Sequence, residues 1–233
     1  MPESFTQPHC FKERLLPQGI VWVALDGGDA VGKTTLVPLV AQSLLSAGVY
    51  SIGMPEFSDL PTGKAIKNAL NDQRFFSLRP DKITPMADTL VLISDLMAQI
   101  EASSKNLAQG GVIVSDRGPA SLIAYQAIRL YERDPKHFLS LDSAVSWVAT
   151  LVETTGLHPD MTMFLTTDES TIQKRIINRG EPPLSTDELQ FLRQVNMLME
   201  QYTQTFSNTT HIIDSGKSLA DITQQIVKLI RKN

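Results

Sequence analysis

The stretch Gly27-Gly28-Asp29-Ala30-Val31-Gly32-Lys33-Thr34 constrains this chain more than any other. It has the form G-x-x-x-x-G-K-[ST], and its surroundings are those the form requires. Residues 20–25 (IVWVAL) precede it as a short unbroken apolar run, the pattern of a strand buried on both faces. Residues 33–47 follow it, with Leu36, Val37, Val40, Leu44 and Leu45 at helical spacing. Glycines let main-chain N–H groups converge on phosphate oxygens with no Cβ in the way, and the start of the helix adds partial positive charge. In such a loop Lys33 bridges the terminal phosphates of a nucleoside triphosphate. Thr34, with Thr35 behind it, offers a hydroxyl to magnesium. The loop points to a triphosphate site and leaves open what happens to the third phosphate.

The same alternation continues. Strands are expected at 49–53, 112–115, 161–165 and 211–214. Helices are expected at 62–70, 88–102, 121–132, 140–154, 169–178, 187–204 and 219–231. On the 88–102 helix, Leu90, Val91, Ser94 and Met97 share one face, suited to core packing or to contact with a second copy. Ser218 and Asp221 resemble a capping box at the last helix. Strands alternating with helices give an α/β fold, a five-stranded parallel sheet covered on both faces, with ligands beyond the carboxyl ends of the strands. No repeat or linker divides the 233 residues, so one domain over 19–233 is expected, with 1–18 as an extension ahead of it.

Composition narrows the function. Lys and Arg total 21 against 25 Asp and Glu, a formal charge of −4, which argues against a nucleic-acid coat or a polybasic membrane binder. A single cysteine, Cys10, excludes an internal disulfide and a cysteine zinc cage, and fits a reducing, cytoplasmic setting. His9, His137, His158 and His211 lack metal-ligand spacing.

A second constellation ends the 112–115 strand: Asp116, able to hold magnesium, and Arg117, able to fork onto another phosphate. It opens the segment Asp116-Arg117-x-x-x-Ser121-x-x-Ala124-Tyr125-Gln126. That segment resembles the D-R-x-x-x-S-x-x-A-Y-Q of thymidylate kinases. The loop, with acidic Asp29, is similar to theirs as well. So are Gly63-Lys64-Ala65-Ile66, His158-Pro159-Asp160, Lys174-Arg175-x-x-x-Arg179-Gly180-Glu181 and Ile213-Asp214, spread over most of the chain.

The resemblance implies the three-layer α/β/α fold of P-loop NTPases and transfer of the γ-phosphoryl of ATP to dTMP, with Mg2+, in a homodimer. By that likeness the loop from Gly27 to Thr35 and Lys33 hold ATP, while Thr34 and Asp116 serve the metal. Arg117 grips the acceptor phosphate and Asp29 lies near the acceptor sugar. Ser121, Tyr125 and Gln126 line the acceptor pocket. Arg175 and Arg179 stand at a lid, residues 175–188, as catalytic arginines or as an ordinary solvated helix face. Ala30 fits a lid arginine, since some members carry one in the phosphate loop instead.

Three departures bear on substrate choice. The family's Phe-x-x-x-Arg, which stacks on thymine and reads its O4, aligns with Leu92 and Leu96. No arginine stands in Met54-Pro55-Glu56-Phe57-Ser58, where the family directs one at the acceptor phosphate; Phe57, Phe75 or Phe76 is a candidate for the missing ring. Pro182-Pro183-Leu184-Ser185 replaces a second lid arginine. Two other readings therefore stay open: a kinase for another nucleotide, and a nucleotide-binding regulator with reduced activity.

Overall fold

A computed structural model describes residues 15–70, 84–107 and 110–232. His9, Cys10, Phe75, Phe76 and most of the expected N-terminal extension lie outside the described residues.

Five strands form one parallel sheet among the described residues: β1 (Ile20–Asp26), β2 (Ser51–Met54), β3 (Gly111–Asp116), β4 (Met161–Thr166) and β5 (Thr210–Asp214), in the order β2-β3-β1-β4-β5. The helices are α1 (Lys33–Ser46), α2 (Pro61–Leu70), α3 (Pro85–Asn106), α4 (Pro119–Arg133), α5 (Leu141–Thr154), α6 (Glu169–Asn178), α7 (Thr186–Thr205) and α8 (Leu219–Ile230).

Successive side chains of a strand point to opposite faces, and β1 shows why its apolar run is unbroken. Trp22 and Ala24 enter one core with α4, α5 and α7, whereas Val23 and Leu25 enter the other with α1 and α8. The central place of β1 also sets the site. It pairs with β3 on one side, Leu25 opposite Asp116, and with β4 on the other. The turns leaving β1 and β3 therefore emerge side by side.

Leu16 is buried against the first core, so the chain just before β1 is docked on the sheet. On α3 the buried positions are Asp88, Thr89, Leu92, Ile93, Asp95, Gln99 and Ile100, while Leu90 is about half exposed. The Leu90–Met97 face is thus only partly covered, through Val91 and Met97; four polar side chains occupy the inner side, where a hydrophobic pattern cannot register them. At α8, Ser218 caps the Asp221 amide, but the Asp221 carboxylate accepts from the Ser218 hydroxyl and not from its main chain, so the capping box is half formed. The reciprocal box appears at α7, between Ser185 and Glu188.

Candidate active site

The turn after β1 is built around glycines that no other residue replaces. Gly27 has φ +143°, and a Cβ there would lie 2.5 Å from the Leu165 carbonyl oxygen. Gly32, at φ +103°, is the N-cap of α1 and supplies no side-chain cap. The first-turn amides of α1 thus face the loop, the arrangement that receives an anion. Ala30 adopts φ +60°, a left-handed conformation that costs a non-glycine residue about 1 kcal/mol.

Lys33 is buried beneath this turn, and its Nζ donates to the carbonyls of Gly27 (3.0 Å) and Gly28 (2.6 Å). Burial pushes its ammonium down to about 8; the Arg117 charge adds to the fall, and Asp116, Asp29 and Glu56 oppose it. Thr34 donates its hydroxyl to Asp116 Oδ2 at 2.5 Å. Asp116 Oδ1 is buried with no hydrogen-bond donor at it among the described residues. A hydroxyl beside a carboxylate with an unspent oxygen suits a small hard cation that takes its remaining ligands from phosphates and water. Mg2+ fits this pair.

Arg117 joins the two strand ends. Its Nε donates to Glu56 Oε1 (2.7 Å), Nη2 to Asp29, and Nη1 to the Gly27 carbonyl (3.3 Å) and the Ser121 hydroxyl (3.5 Å). The guanidinium lies 4.7 Å from the Tyr125 ring centroid, a cation–π contact. Burial opposes its charge, but Glu56, Asp29 and Asp116 hold it firmly protonated. Its backbone is left-handed, φ +76°. Two bonds hold it there: Arg117 N donates to Leu25 O (2.9 Å), and Ser115 Oγ donates to Arg117 O (2.8 Å).

Three supporting carboxylates escaped the sequence reading. Asp26, fully buried at the end of β1, accepts at Oδ1 from the amides of Gly118 and Ser121, both 3.0 Å, and from the Ser121 hydroxyl. It pins the first turn of α4, and with it the Arg117 turn. A lone acid closing an apolar strand was its one visible signal. Glu56 stood in view only as part of a stretch lacking arginine. Asp95, also buried, accepts from the Ser58 amide (3.0 Å) and hydroxyl, from Thr62 Oγ1 (2.7 Å) and from Gln99 Nε2 (3.1 Å). It ties the segment after β2 to α3 and so steadies Glu56.

A cleft of about 480 Å³ opens beside Arg117. Asp116, Arg117, Gly118 and Ser121 line it together with Glu56, Asp95, Tyr125, Gln126 and the apolar Phe57, Leu92, Leu96 and Leu122. Tyr125 is both core and lining: it packs edge-on against Phe191, and burial pushes its phenol well up. Of the three candidate rings, Phe57 lies among the described residues and lines this cleft.

The two arginines expected at a lid differ from each other. Arg175, within α6, donates through Nη1 to Ala30 O (3.1 Å) and through Nη2 to Ser215 O (2.6 Å), so it rests on the phosphate loop. Arg179 caps the end of α6 and is exposed. Leu184 is tucked inward, and its main chain exchanges two hydrogen bonds with the Gln173 amide (2.9 and 3.3 Å).

The sequence model of the thymidylate kinase family matches residues 25–226. The chain belongs to the thymidylate kinase family. The thymidylate kinase of Leifsonia xyli subsp. xyli is 30% identical over 158 residues, 67% of this chain and 68% of that one. That of Synechococcus sp. (strain JA-3-3Ab) is 27% identical over 212 residues, 91% and 95% of the two chains. The thymidylate kinase from Candida albicans, whose structure is described as revealing the origin of broad substrate specificity, matches with a TM-score of 0.66 at 24% identity. It covers 91% of this chain and 92% of that one, and shows the shared fold. Family membership carries ATP-dependent phosphorylation of dTMP to dTDP, and the five-stranded parallel sheet is the fold expected of it.

Proposed function

We propose that the chain transfers the γ-phosphoryl of ATP to the 5′-phosphate of dTMP at the junction of β1 and β3. One observation carries this reading. Arg117 touches the phosphate loop through Gly27 O and Asp29, and the cleft through Glu56, Ser121 and Tyr125. A donor phosphate in the loop and an acceptor phosphate on the guanidinium are thereby brought together.

The loop amides and Lys33 hold the β- and γ-phosphates. An acceptor phosphate oxygen attacks the γ-phosphorus, the bond to the β,γ-bridging oxygen breaks, and ADP leaves. Positioning and charge neutralisation do most of the work in such transfers. Thr34 and Asp116 would hold Mg2+, which when bound neutralises phosphate charge. Arg117 exchanges Glu56 and Asp29 for acceptor phosphate oxygens. Asp29, released from Arg117, faces the sugar, and Ser121, Tyr125 and Gln126 enclose the nucleoside with the apolar wall. Arg175 steadies the loop through Ala30, and Arg179 closes over the transferring group from the lid at 175–188. The catalytic domain is residues 19–233. It works as a cytoplasmic homodimer, with the half-exposed Leu90–Met97 face of α3 as contact. No helix among the described residues is long and apolar enough to cross a membrane.

Steady-state ADP release with dTMP, dUMP, dCMP, dAMP and dGMP tests the acceptor. The highest kcat/KM is expected with dTMP, ahead of both purine nucleotides by at least about tenfold. Equal rates with all five would overturn dTMP as substrate. Tight ATP binding with no product from any of them would make the protein a regulator.

A further inference from the structure

Trp22 is buried in the first core at 1% exposure, and its ring carries a polar N–H. An indole N–H in an apolar core costs free energy unless it finds an acceptor. Here Nε1 donates to Ser115 Oγ at 2.8 Å. Trp22 is paired with Ile113 in the β1–β3 register, so the indole reaches two residues along β3 to meet Ser115. Ser115 is itself fully buried. The indole can only donate, which leaves the hydroxyl hydrogen for the Arg117 carbonyl, 2.8 Å away. The two bonds therefore run in one direction, from Trp22 through Ser115 to Arg117. The other end of this chain is anchored at Asp160, just ahead of β4. Trp22 N donates to Asp160 Oδ2 (2.7 Å), and Asp160 N donates to Trp22 O (2.9 Å).

We propose that Trp22 and Ser115 are positioning residues for the transfer: together they hold the Arg117 carbonyl and so aim the guanidinium at the acceptor phosphate. This rests on Arg117 being the ligand of that phosphate. Arg117 has φ +76°, a conformation that a residue with a Cβ keeps only where its surroundings impose it. The peptide that follows is gripped on both sides. Ser115 Oγ holds its carbonyl, and its N–H, on Gly118, donates to Asp26 Oδ1 at 3.0 Å. It also lies close against β1, since a Cβ at Gly118 would stand 2.5 Å from the Ala24 Cβ. Release of the carbonyl lets Arg117 relax toward negative φ. Its Cα–Cβ bond then turns, and the guanidinium leaves its place between the Gly27 carbonyl and the cleft. A misplacement of about 1 Å costs on the order of a hundredfold in rate. Packing alone asks for neither polar group, because a phenylalanine and an alanine at these positions need no partners.

The test is kcat and KM for dTMP and for ATP in the wild type, Trp22→Phe, Ser115→Ala and the double variant. Ser115→Ala is expected to lower kcat/KM for dTMP by about 10- to 100-fold, with the KM for ATP within about twofold of the wild type. Trp22→Phe leaves the hydroxyl free to turn away and should lower kcat/KM for dTMP by at least about threefold. The double variant should match Ser115→Ala within about threefold, because both side chains act on one carbonyl. A packing role alone would lower Tm and leave the dTMP kinetics of the folded enzyme as they were. Either single variant, folded and with wild-type kcat/KM for dTMP, overturns the proposal. A second measurement needs neither variant. In a proton–nitrogen correlation spectrum the indole N–H signal of Trp22, told from that of Trp147 by a Trp147→Phe protein, should move as dTMP fills the site. A signal that saturating dTMP leaves in place overturns the proposal as well. A wild type that transfers nothing to dTMP overturns the acceptor reading instead.

Discussion

Lys33→Met is expected to reduce phosphoryl transfer by at least about a thousandfold while leaving Tm unchanged or higher. Lys33 carries the loop's one buried ammonium, held on the Gly27 and Gly28 carbonyls, and in the proposed transfer it neutralises charge on the phosphates. Its folded value of about 8, against 10.5 for a free lysine, means that burying the charge opposes folding by on the order of 3 kcal/mol. That opposition is fully present below pH 8 and is relieved as pH rises from there to 10.5. Methionine removes it and loses two hydrogen bonds to carbonyls, about 1 kcal/mol each, so the balance falls near zero or on the side of stability. The same titration appears in binding. Polyphosphate favours the protonated amine, so ATP affinity should be flat below about pH 8 and fall above it, by up to tenfold per pH unit. Calorimetric titrations of ATP between pH 7 and 9.5 should show this break in the wild type and none in the variant. A Lys33→Met protein that retained a tenth of its activity would remove Lys33 from the mechanism.

Arg117→Ala should act on the other substrate. It removes the fork offered to the acceptor phosphate and leaves Asp29, Glu56 and Asp116 facing one another without their cation. A fall in kcat of about a thousandfold and a rise of at least tenfold in the KM for dTMP are expected, with the KM for ATP little changed. Stability should drop by about 3 kcal/mol, since unpaired carboxylates remain half-buried. The two cations of the site are thus expected to have opposite signatures in a melting experiment, although the proposed transfer uses both. Arg117→Lys keeps the charge without the fork and should recover stability more than rate. An unaltered KM for dTMP in Arg117→Ala would contradict its place at the acceptor.

The parts of this architecture that could be read from the sequence are those set by neighbours in the chain. The five strands were visible because β1 and its partners are short, apolar and bounded by turns. The phosphate loop was visible because its chemistry needs glycines, Lys33 and Thr34 within eight positions. What escaped depends on partners far along the chain. Asp26 meets Gly118 and Ser121 across separations of 92 and 95 residues, and Arg117 meets Glu56 across 61. Asp88, Asp95 and Gln99 turned the inner face of α3 polar, so its hydrophobic pattern pointed to the outer one. Sequence spacing carries the reactive groups; the groups that aim them are fixed only by tertiary packing.

The most direct test follows the phosphoryl group itself. In a phosphorus-31 NMR time course with ATP, Mg2+ and dTMP, the signals of ADP and dTDP should grow together in equal amounts, with no inorganic phosphate ahead of them. Growth of ADP matched by inorganic phosphate, with dTMP left intact, would show that water takes the γ-phosphoryl and would contradict transfer across the Lys33–Arg117 site.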